Sequence, residues 1–202
     1  MSSDLFNSMN LSERFKNKRI LLGSASPRRK QLLSELGLSF DLLHLAVDEA
    51  FPSNLKRESI ALFLSALKAT AGKSLLQADD ILITADTIVW LAPEVLNKPM
   101  DEQEAKRMLY RLSGKTHEVI TAVTITSTDK TRSVYSVTEV TFRSLLEDEI
   151  QFYIQNFKPF DKAGAYGIQE WIGHVGVERI NGSYTNVVGL PLNELYNELM
   201  SF

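Results

Sequence analysis

Six side chains in this 202-residue sequence have types suited to chemistry on phosphates. They are Arg28, Arg29, Lys68, Lys98, Glu49 and Asp86. Carboxylates combined with Arg and Lys are typical of Mg²⁺-assisted phosphate chemistry, because Mg²⁺ takes one or two carboxylates while cations stabilise developing charge. The chain has no cysteine, its three histidines lack metal-ligand spacing, and it contains no Gly-x-Ser-x-Gly elbow. The residues therefore predict a protein that binds or cleaves a polyphosphate, without indicating which one.

Two of these cations lie in the first turn of a predicted helix that follows a short buried strand, Ile20–Leu22. Ser26 is a suitable N-cap for that helix, and Gly37 is a suitable left-handed stop. Cations at a helix N-terminus oppose the macrodipole, whereas the free amides there attract anions. Arg28 and Arg29 are therefore consistent with an anion bound between them, and a solvated basic first turn is the alternative.

Two further candidates are placed by apolar patterns. Asp86 comes directly after the apolar run 81–85, which predicts a central strand, and the strand ends of open α/β sheets are where ligands bind. A structural Asp that caps the turn is the alternative. Lys68 lies at the margin of the apolar face of a helix predicted over 57–76, where a lysine that extends its ammonium to solvent is the alternative.

The remaining elements complete an α/β pattern. Glu49 follows Asp48 after a strand predicted over 39–45. Further elements are predicted as a helix from the N-cap Asp101 to Leu112, strands over 117–126 and 133–142, a helix over 147–156, a strand over 175–180 and a helix over 192–200. The glycine-punctuated segment 158–169 is the predicted ligand-facing loop. This order of elements indicates an α/β fold with a mixed sheet.

The composition excludes several classes of protein. Apolar residues make up 44% and charged residues 23%, as in ordinary soluble domains, and the net charge of −3 provides no basic field for nucleic acid. No stretch is apolar and long enough to span a bilayer. Residues 1–17 are polar, so we interpret them as an N-terminal extension to a single domain over 18–202. We expect no nucleic acid or membrane partner, and the absence of cysteine fits a cytoplasmic location.

A series of ordered motifs resembles the Maf family of nucleoside triphosphate pyrophosphatases from about Arg19 to the C-terminus. The motifs are Ser24-Ala-Ser-Pro-Arg-Arg29, Val47-Asp48-Glu49, Lys68-Ala69, Ala85-Asp86-Thr87, Lys98-Pro99, Leu112-Ser113-Gly114, Lys162-Ala-Gly-Ala-Tyr-Gly-Ile-Gln169, Ile180-Asn-Gly-Ser-Tyr184 and Val188-Gly-Leu-Pro191. Each motif is weak alone, but their shared order is highly specific.

The resemblance implies an inosine-triphosphatase-like fold, an elongated, twisted mixed sheet flanked by helices with a cleft between two lobes. It implies cleavage of a nucleoside triphosphate between the α and β phosphates with a divalent cation, Mg²⁺ or Mn²⁺. Asp86 matches the family's catalytic aspartate and Glu49 its second carboxylate, and both would hold the metal. The substrate-binding residues implied are Ser26, Arg28, Arg29, Lys68, Thr87, Lys98 and Gln169. Members are often dimeric, which makes a homodimer the assembly to expect.

Three positions resemble the subfamily that cleaves dTTP and UTP, namely Arg28, Thr87 and Gln169. The subfamily acting on 7-methyl-GTP resembles Ser-Pro-Trp-Arg, Ser-Asp-Gln and a late-loop Glu, and none of these stands here. The amide of Gln169 suits the alternating donor and acceptor edge of uracil or thymine. One departure follows it directly, because Glu170-Trp171 stands where the family often has a glycine after Gln.

The resemblance therefore predicts an enzyme that removes dTTP and UTP from the nucleotide pool, with modified pyrimidine nucleotides as further candidates. Two alternatives remain. One is a purine pyrophosphatase acting on nucleotides such as 7-methyl-GTP. The other is a nucleotide-sensing regulator of septum formation without turnover, which would need cations to bind phosphates but no positioned base.

Overall fold

The computed structural model describes residues 11–202, which combine a mixed sheet with flanking helices. The strands are β1 (Arg19–Leu22), β2 (Asp41–Leu42), β3 (Asp80–Leu91), β4 (Glu94–Leu96), β5 (Thr116–Thr126), β6 (Thr131–Phe142) and β7 (Val177–Asn181). The helices are α1 (Leu11–Arg14), α2 (Pro27–Glu35), α3 (Glu58–Lys73), α4 (Glu102–Leu112), α5 (Glu147–Phe157), α6 (Trp171–Gly176), α7 (Tyr184–Val188) and α8 (Leu192–Ser201), with a 3₁₀ turn at Ala163–Ala165.

Within these residues the strands form one seven-stranded sheet in the order β2-β1-β3-β5-β6-β7, with β4 also paired to β3. Strand β1 is parallel to both β2 and β3. The pairs β3–β4 and β6–β7 are antiparallel. The mixed α/β architecture expected from the sequence is therefore confirmed.

The chain divides into two compact units. Among the described residues, unit 1 contains 11–86 together with Thr121–Ser136 and Gly189–Phe202, and unit 2 contains Thr87–Ile120 and Val137–Val188. Strands β3, β5 and β6 each contribute residues to both units.

In unit 1 the short strand β1 pairs with the first residues of β3, so that Ile20 lies opposite Ile81 and Leu22 opposite Ile83. These side chains are buried, as expected for parallel strands that are covered on both faces. The strand predicted over 39–45 is wrong in length, because β2 contains only Asp41–Leu42. Its partner β1 ends at Leu22, so the parallel ladder cannot extend further.

Helix α2 begins and ends as the sequence predicts. The Oγ of Ser26 accepts a hydrogen bond from the backbone N–H of Arg29 at 3.4 Å, and Pro27 occupies the first turn. Gly37 has φ +72°, a left-handed conformation that glycine adopts without the Cβ penalty. Helix α3 is shorter than the predicted 57–76, since it ends at Lys73.

The central strand β3 differs from the prediction in a way that matters for the site. Asp86 was expected after the end of a strand, but β3 continues through it and Thr87 to Leu91. The prediction was wrong because a lone carboxylate between apolar runs looks like a boundary. Thr87 and the β-branched residues that follow favour an extended chain instead.

Unit 2 contains helix α4, which has the predicted N-cap, because Asp101 Oδ1 accepts from the N–H of Glu104 at 2.7 Å. The sequence did not predict the short elements β4, α6 and α7. The strand predicted over 175–180 is instead β7 at Val177–Asn181, since Val175 lies in α6. Elements of three to six residues carry too few side chains to show a period.

Helix α1 is a single helical turn within the proposed extension, and its Leu11 is buried, as is Phe15 just beyond it. Residues 1–10 of the proposed extension lie outside the described part of the chain. The division into an extension over 1–17 and one domain over 18–202 stays a prediction. Across residues 11–202, none of the helices combines the length and the hydropathy that crossing a membrane requires.

Candidate active site

Three charged side chains meet in unit 1. The Nζ of Lys68 lies 2.5 Å from Oδ1 of Asp86 and 2.7 Å from Oε1 of Glu49. The Lys68 side chain is 12% exposed and that of Asp86 is 10% exposed, whereas Glu49 is 43% exposed. The pair formed by Lys68 and Asp86 is therefore shielded from solvent, and Glu49 reaches it from the surface side.

Each member of this cluster comes from a different element. Lys68 is carried by α3, Asp86 by the middle of β3, and Glu49 by the irregular segment after β2. Lys68 thus makes two ion pairs, which rules out the alternative of a lysine that only extends into solvent. Asp86 and Glu49 had been expected at strand ends, and neither is at one. They still converge on one cation.

Arg29 lies beside this cluster and is held by oxygen acceptors. Its Nε donates to the carbonyl of Gly189 at 2.8 Å, and its Nη1 donates to the carbonyl of Ala85 at 2.8 Å and to Oγ of Ser24 at 3.3 Å. Burial lowers the pKa of the Arg29 guanidinium, and the negative charge of Asp86 opposes that shift. Because Ala85 precedes Asp86 directly, the bond from Arg29 also fixes the backbone that carries the carboxylate.

The rest of the first turn of α2 adds one further cation. The positive charge of Arg28 contributes to lowering the pKa of Arg29, so the two guanidinium groups are close enough to repel. Two neighbouring cations at a helix N-terminus destabilise each other, and an anion between them would relieve that repulsion. Ser26 supports the turn as its N-cap. The structure therefore brings Ser26, Arg29, Asp86, Lys68 and Glu49 into one region of unit 1.

The other three predicted substrate-binding residues belong to unit 2. Thr87 is half-buried in β3, directly after Asp86. Lys98 is exposed in the connection between β4 and α4, and Gln169 is exposed in the turn before α6. Their expected roles stay predictions.

The segment 158–169, predicted as a ligand-facing loop, is mostly buried. It contains the 3₁₀ turn Ala163–Ala165, and Tyr166 packs edge-on against His117 and Phe142. The Nε2 of His117 lies 2.8 Å from the hydroxyl of Tyr166, and burial lowers the pKa of His117 to about 4. His117 therefore has a structural role in this packing, and Gln169 is one of the exposed residues of the segment, together with Lys158 and Asp161.

Sequence reasoning missed three oxygens of the site: the Oγ of Ser24 and the carbonyls of Ala85 and Gly189, all acceptors for Arg29. Ser24 stands inside a quoted motif and could have been identified as a polar partner. A backbone carbonyl leaves no signal in the residue type, so the other two could not.

The carboxylates suit a divalent metal in number and chemistry. Within residues 11–202 there is no group of three or more His, Asp or Glu side chains that could hold one. Mg²⁺ however binds through one or two carboxylates, with water and substrate phosphate supplying the other oxygens. One nitrogen contacts both Asp86 and Glu49, so the two carboxylates face the same region of the site. The donor set therefore fits Mg²⁺ or Mn²⁺.

Comparison with known proteins identifies a matching family and several similar proteins. The sequence model of the family described as Maf-like protein matches residues 19–202. A protein of Phocaeicola vulgatus named dTTP/UTP pyrophosphatase is 50% identical over 188 residues, covering 93% of this chain and 97% of the relative. Relatives of the same name come from Flavobacterium psychrophilum (46% over 191 residues, 95% and 98% covered) and Cytophaga hutchinsonii (51% over 183 residues, 91% and 84% covered).

Proposed function

This chain belongs to the Maf family, and from that premise we propose that it hydrolyses dTTP and UTP to the nucleoside monophosphate and pyrophosphate. Its role would be to remove these nucleotides, and modified pyrimidine nucleotides, from the cellular pool. Support comes from relatives that bear the name dTTP/UTP pyrophosphatase at about half identity over most of the chain.

The observation that carries the proposal is the convergence of Asp86 and Glu49 on Lys68, next to the guanidinium of Arg29. A protein that only binds phosphates needs cations, and two carboxylates beside those cations would repel its ligand. Hydrolysis, in contrast, uses such carboxylates, because one can accept a proton and both can hold a metal. The cluster therefore favours turnover over nucleotide sensing.

In the proposed reaction, Arg28, Arg29, Lys68 and Lys98 bind the triphosphate and neutralise its charge. Asp86 accepts a proton from a water molecule, whose oxygen bonds to the α-phosphorus. The bond between the α-phosphorus and the bridging oxygen breaks, and pyrophosphate leaves with that oxygen. Lys68 is suited to this step because it already contacts the carboxylate and can stabilise negative charge beside it.

A divalent cation completes the proposal. Asp86 and Glu49 would hold Mg²⁺ or Mn²⁺, which when bound supplies positive charge to phosphate oxygens and polarises water. Base recognition is assigned to the exposed amide of Gln169, with Thr87 beside the catalytic carboxylate as a further substrate contact.

The decisive experiment measures pyrophosphate release from a panel of dTTP, UTP, CTP, ATP, GTP and 7-methyl-GTP with Mg²⁺ or Mn²⁺. We expect dTTP and UTP to be the preferred substrates. Preference for 7-methyl-GTP would favour the purine alternative, and binding without release would favour a sensor. The variant Gln169→Glu should weaken pyrimidine use, and an unchanged preference would remove Gln169 from base recognition.

The assignment of Asp86 is tested by Asp86→Asn, which should lower kcat by at least about a thousandfold while the protein stays folded. A matched control is Asp80→Asn, which makes the same change in the same strand. Asp80 accepts two hydrogen bonds from Arg19 and has no contact with Lys68, so turnover should persist. Release from dTTP by Asp86→Asn at a near wild-type rate would refute the assignment.

The wider setting completes the proposal. We propose a nucleoside triphosphate as the small-molecule partner, a homodimer as the candidate assembly, and a cytoplasmic location. The absence of cysteine fits that compartment, and the net charge of −3 argues against nucleic acid as a partner.

A further inference from the structure

The turn that carries Gln169 is held by a buried tyrosine from another helix of unit 2. The backbone N–H of Glu170 donates to the carbonyl of Gly167 at 3.0 Å, which closes a turn with Gln169 at an exposed corner. Tyr153, on α5, is fully buried below this turn. Its hydroxyl accepts from the N–H of Gly167 at 3.0 Å and also contacts Oε2 of Glu170. One oxygen atom therefore joins the two ends of the turn.

The direction of these hydrogen bonds follows from the groups involved. A tyrosine hydroxyl has one hydrogen, and because the Gly167 amide must donate to it, that hydrogen goes to the carboxylate of Glu170. Burial, together with the hydrogen bond and the charge of Glu170, raises the pKa of Tyr153. The hydroxyl stays protonated around neutral pH, so it can make both bonds throughout the working range.

The second carboxylate oxygen of Glu170 is also bound. The Nζ of Lys162, a buried side chain, lies 2.9 Å from Oε1 of Glu170 and 2.6 Å from Oδ1 of Asp161. Gly167 packs directly on this pair, because a Cβ at that position would lie 2.8 Å from Cδ of Glu170 and 3.0 Å from Cε of Lys162. The carboxylate of Glu170 is thus fixed at both oxygens and against the backbone.

The backbone of Glu170 is held on its other side by α6. Its carbonyl accepts from the N–H of Gly173 at 2.9 Å and from the N–H of His174 at 3.2 Å. A glycine at position 170 could keep these backbone bonds but not those of the side chain. The side chain therefore adds a constraint on the turn that the backbone alone does not provide.

We propose that Glu170 and Tyr153 are positioning residues for Gln169. They hold the turn in one conformation, so that the exposed amide is oriented in advance for the edge of a pyrimidine base. Prior orientation lowers the entropy lost on binding and raises discrimination between bases. This proposal rests on the proposed function, because it assigns a role to the contacts beneath the residue that reads the base.

The test compares kcat/KM for UTP with kcat/KM for GTP in Tyr153→Phe and Glu170→Ala. Each variant should lower the UTP-to-GTP ratio about tenfold, the size expected for the loss of one well-oriented hydrogen bond. A matched control is Asp161→Asn. The side chain of Asp161 contacts the same Lys162, but its substitution leaves the hydrogen bond between Tyr153 and Glu170 intact. Its ratio should stay within about twofold of wild type.

A double-mutant cycle separates positioning from general structural support. In a Gln169→Ala background the turn no longer presents an amide, so Tyr153→Phe should lower the ratio no further. A purely structural role would lower the ratio equally in both backgrounds and would overturn the proposal, as would an unchanged ratio in the single variants. If Tyr153→Phe does not fold, Glu170→Ala provides the same cycle. Wild-type protein without dTTP or UTP turnover would instead refute the proposed function.

Discussion

Replacing Lys68 with methionine should leave Asp86 and Glu49 beside each other without the cation that joins them. The two ion pairs measure 2.5 and 2.7 Å and share one nitrogen. Two carboxylates about 5 Å apart repel by about 3 kcal/mol at an effective dielectric of about 20. Solvent at the partly exposed Glu49 reduces this repulsion. Loss of the shielded ion pair between Lys68 and Asp86 lowers the stability further. We expect Lys68→Met to lower the free energy of unfolding by about 3 kcal/mol.

Urea unfolding followed by circular dichroism measures this loss, which would lower the midpoint by about 1 M. The double variant Lys68→Met/Asp86→Asn should recover much of it, because only one carboxylate then remains. Mg²⁺ or Mn²⁺ should stabilise Lys68→Met more than wild type, since a metal ion can replace the missing charge.

The matched control for this experiment is Lys106→Met, which breaks the exposed pair between Lys106 and Glu147 at 2.9 Å. Such a surface pair should leave the free energy of unfolding close to that of the wild type, because solvent screens it. If Lys68→Met were as stable as this control, or if Asp86→Asn gave no recovery, the electrostatic account of the cluster would be refuted.

Three further predictions test other parts of the structure. The free energy of unfolding should fall by about 3 kcal/mol as pH drops from 6.5 towards 4, because His117 takes up a proton near 6.5 when unfolded, whereas burial lowers its folded pKa to about 4. Urea titrations of His117→Phe should lack that part of the pH dependence, and an unchanged slope would contradict the assignment. Arg29→Lys should lower kcat/KM for dTTP by at least about tenfold, since an ammonium cannot reproduce the fork that reaches the Ala85 and Gly189 carbonyls; wild-type kinetics would contradict this. Ser26→Ala should cost about 1 kcal/mol in a thermal or urea melt, and Ser26→Asn should restore it, because both Ser and Asn cap a helix.

The elements predicted best from the sequence are those whose sequence signals lie within the element or directly beside it. Helix α2 has its cap at Ser26 and its left-handed stop at Gly37, and both act within one turn of the helix end. The strands predicted over 117–126 and 133–142 correspond to β5 and β6, and burial alternates along β6, whereas β5 is buried on both faces. The turn between these strands closes with a hydrogen bond from Ser127 N to Lys130 O at 2.8 Å.

The errors have a common physical origin in contacts between distant parts of the chain. Strand β2 is short because its partner β1 ends, which cannot be read from β2 itself. Strand β3 continues through Asp86 because Lys68, from another element, neutralises a carboxylate that would otherwise interrupt a buried strand.

The candidate site also combines features that the sequence shows with features that only the folded chain shows. Residue types and order identified Asp86, Glu49 and Lys68, but only the folded chain shows that one ammonium contacts both carboxylates. The partners of Arg29 include two backbone carbonyls, which no side-chain pattern could reveal.

Helix α1 has a practical consequence for anyone who shortens this protein. Its buried Leu11 and the following Phe15 precede the stretch that matches the family, which begins at residue 19. A version trimmed to that match would uncover the apolar surface against which these two side chains pack, and exposed apolar patches promote aggregation. Truncations intended for expression or crystallisation should therefore keep Leu11 and everything after it.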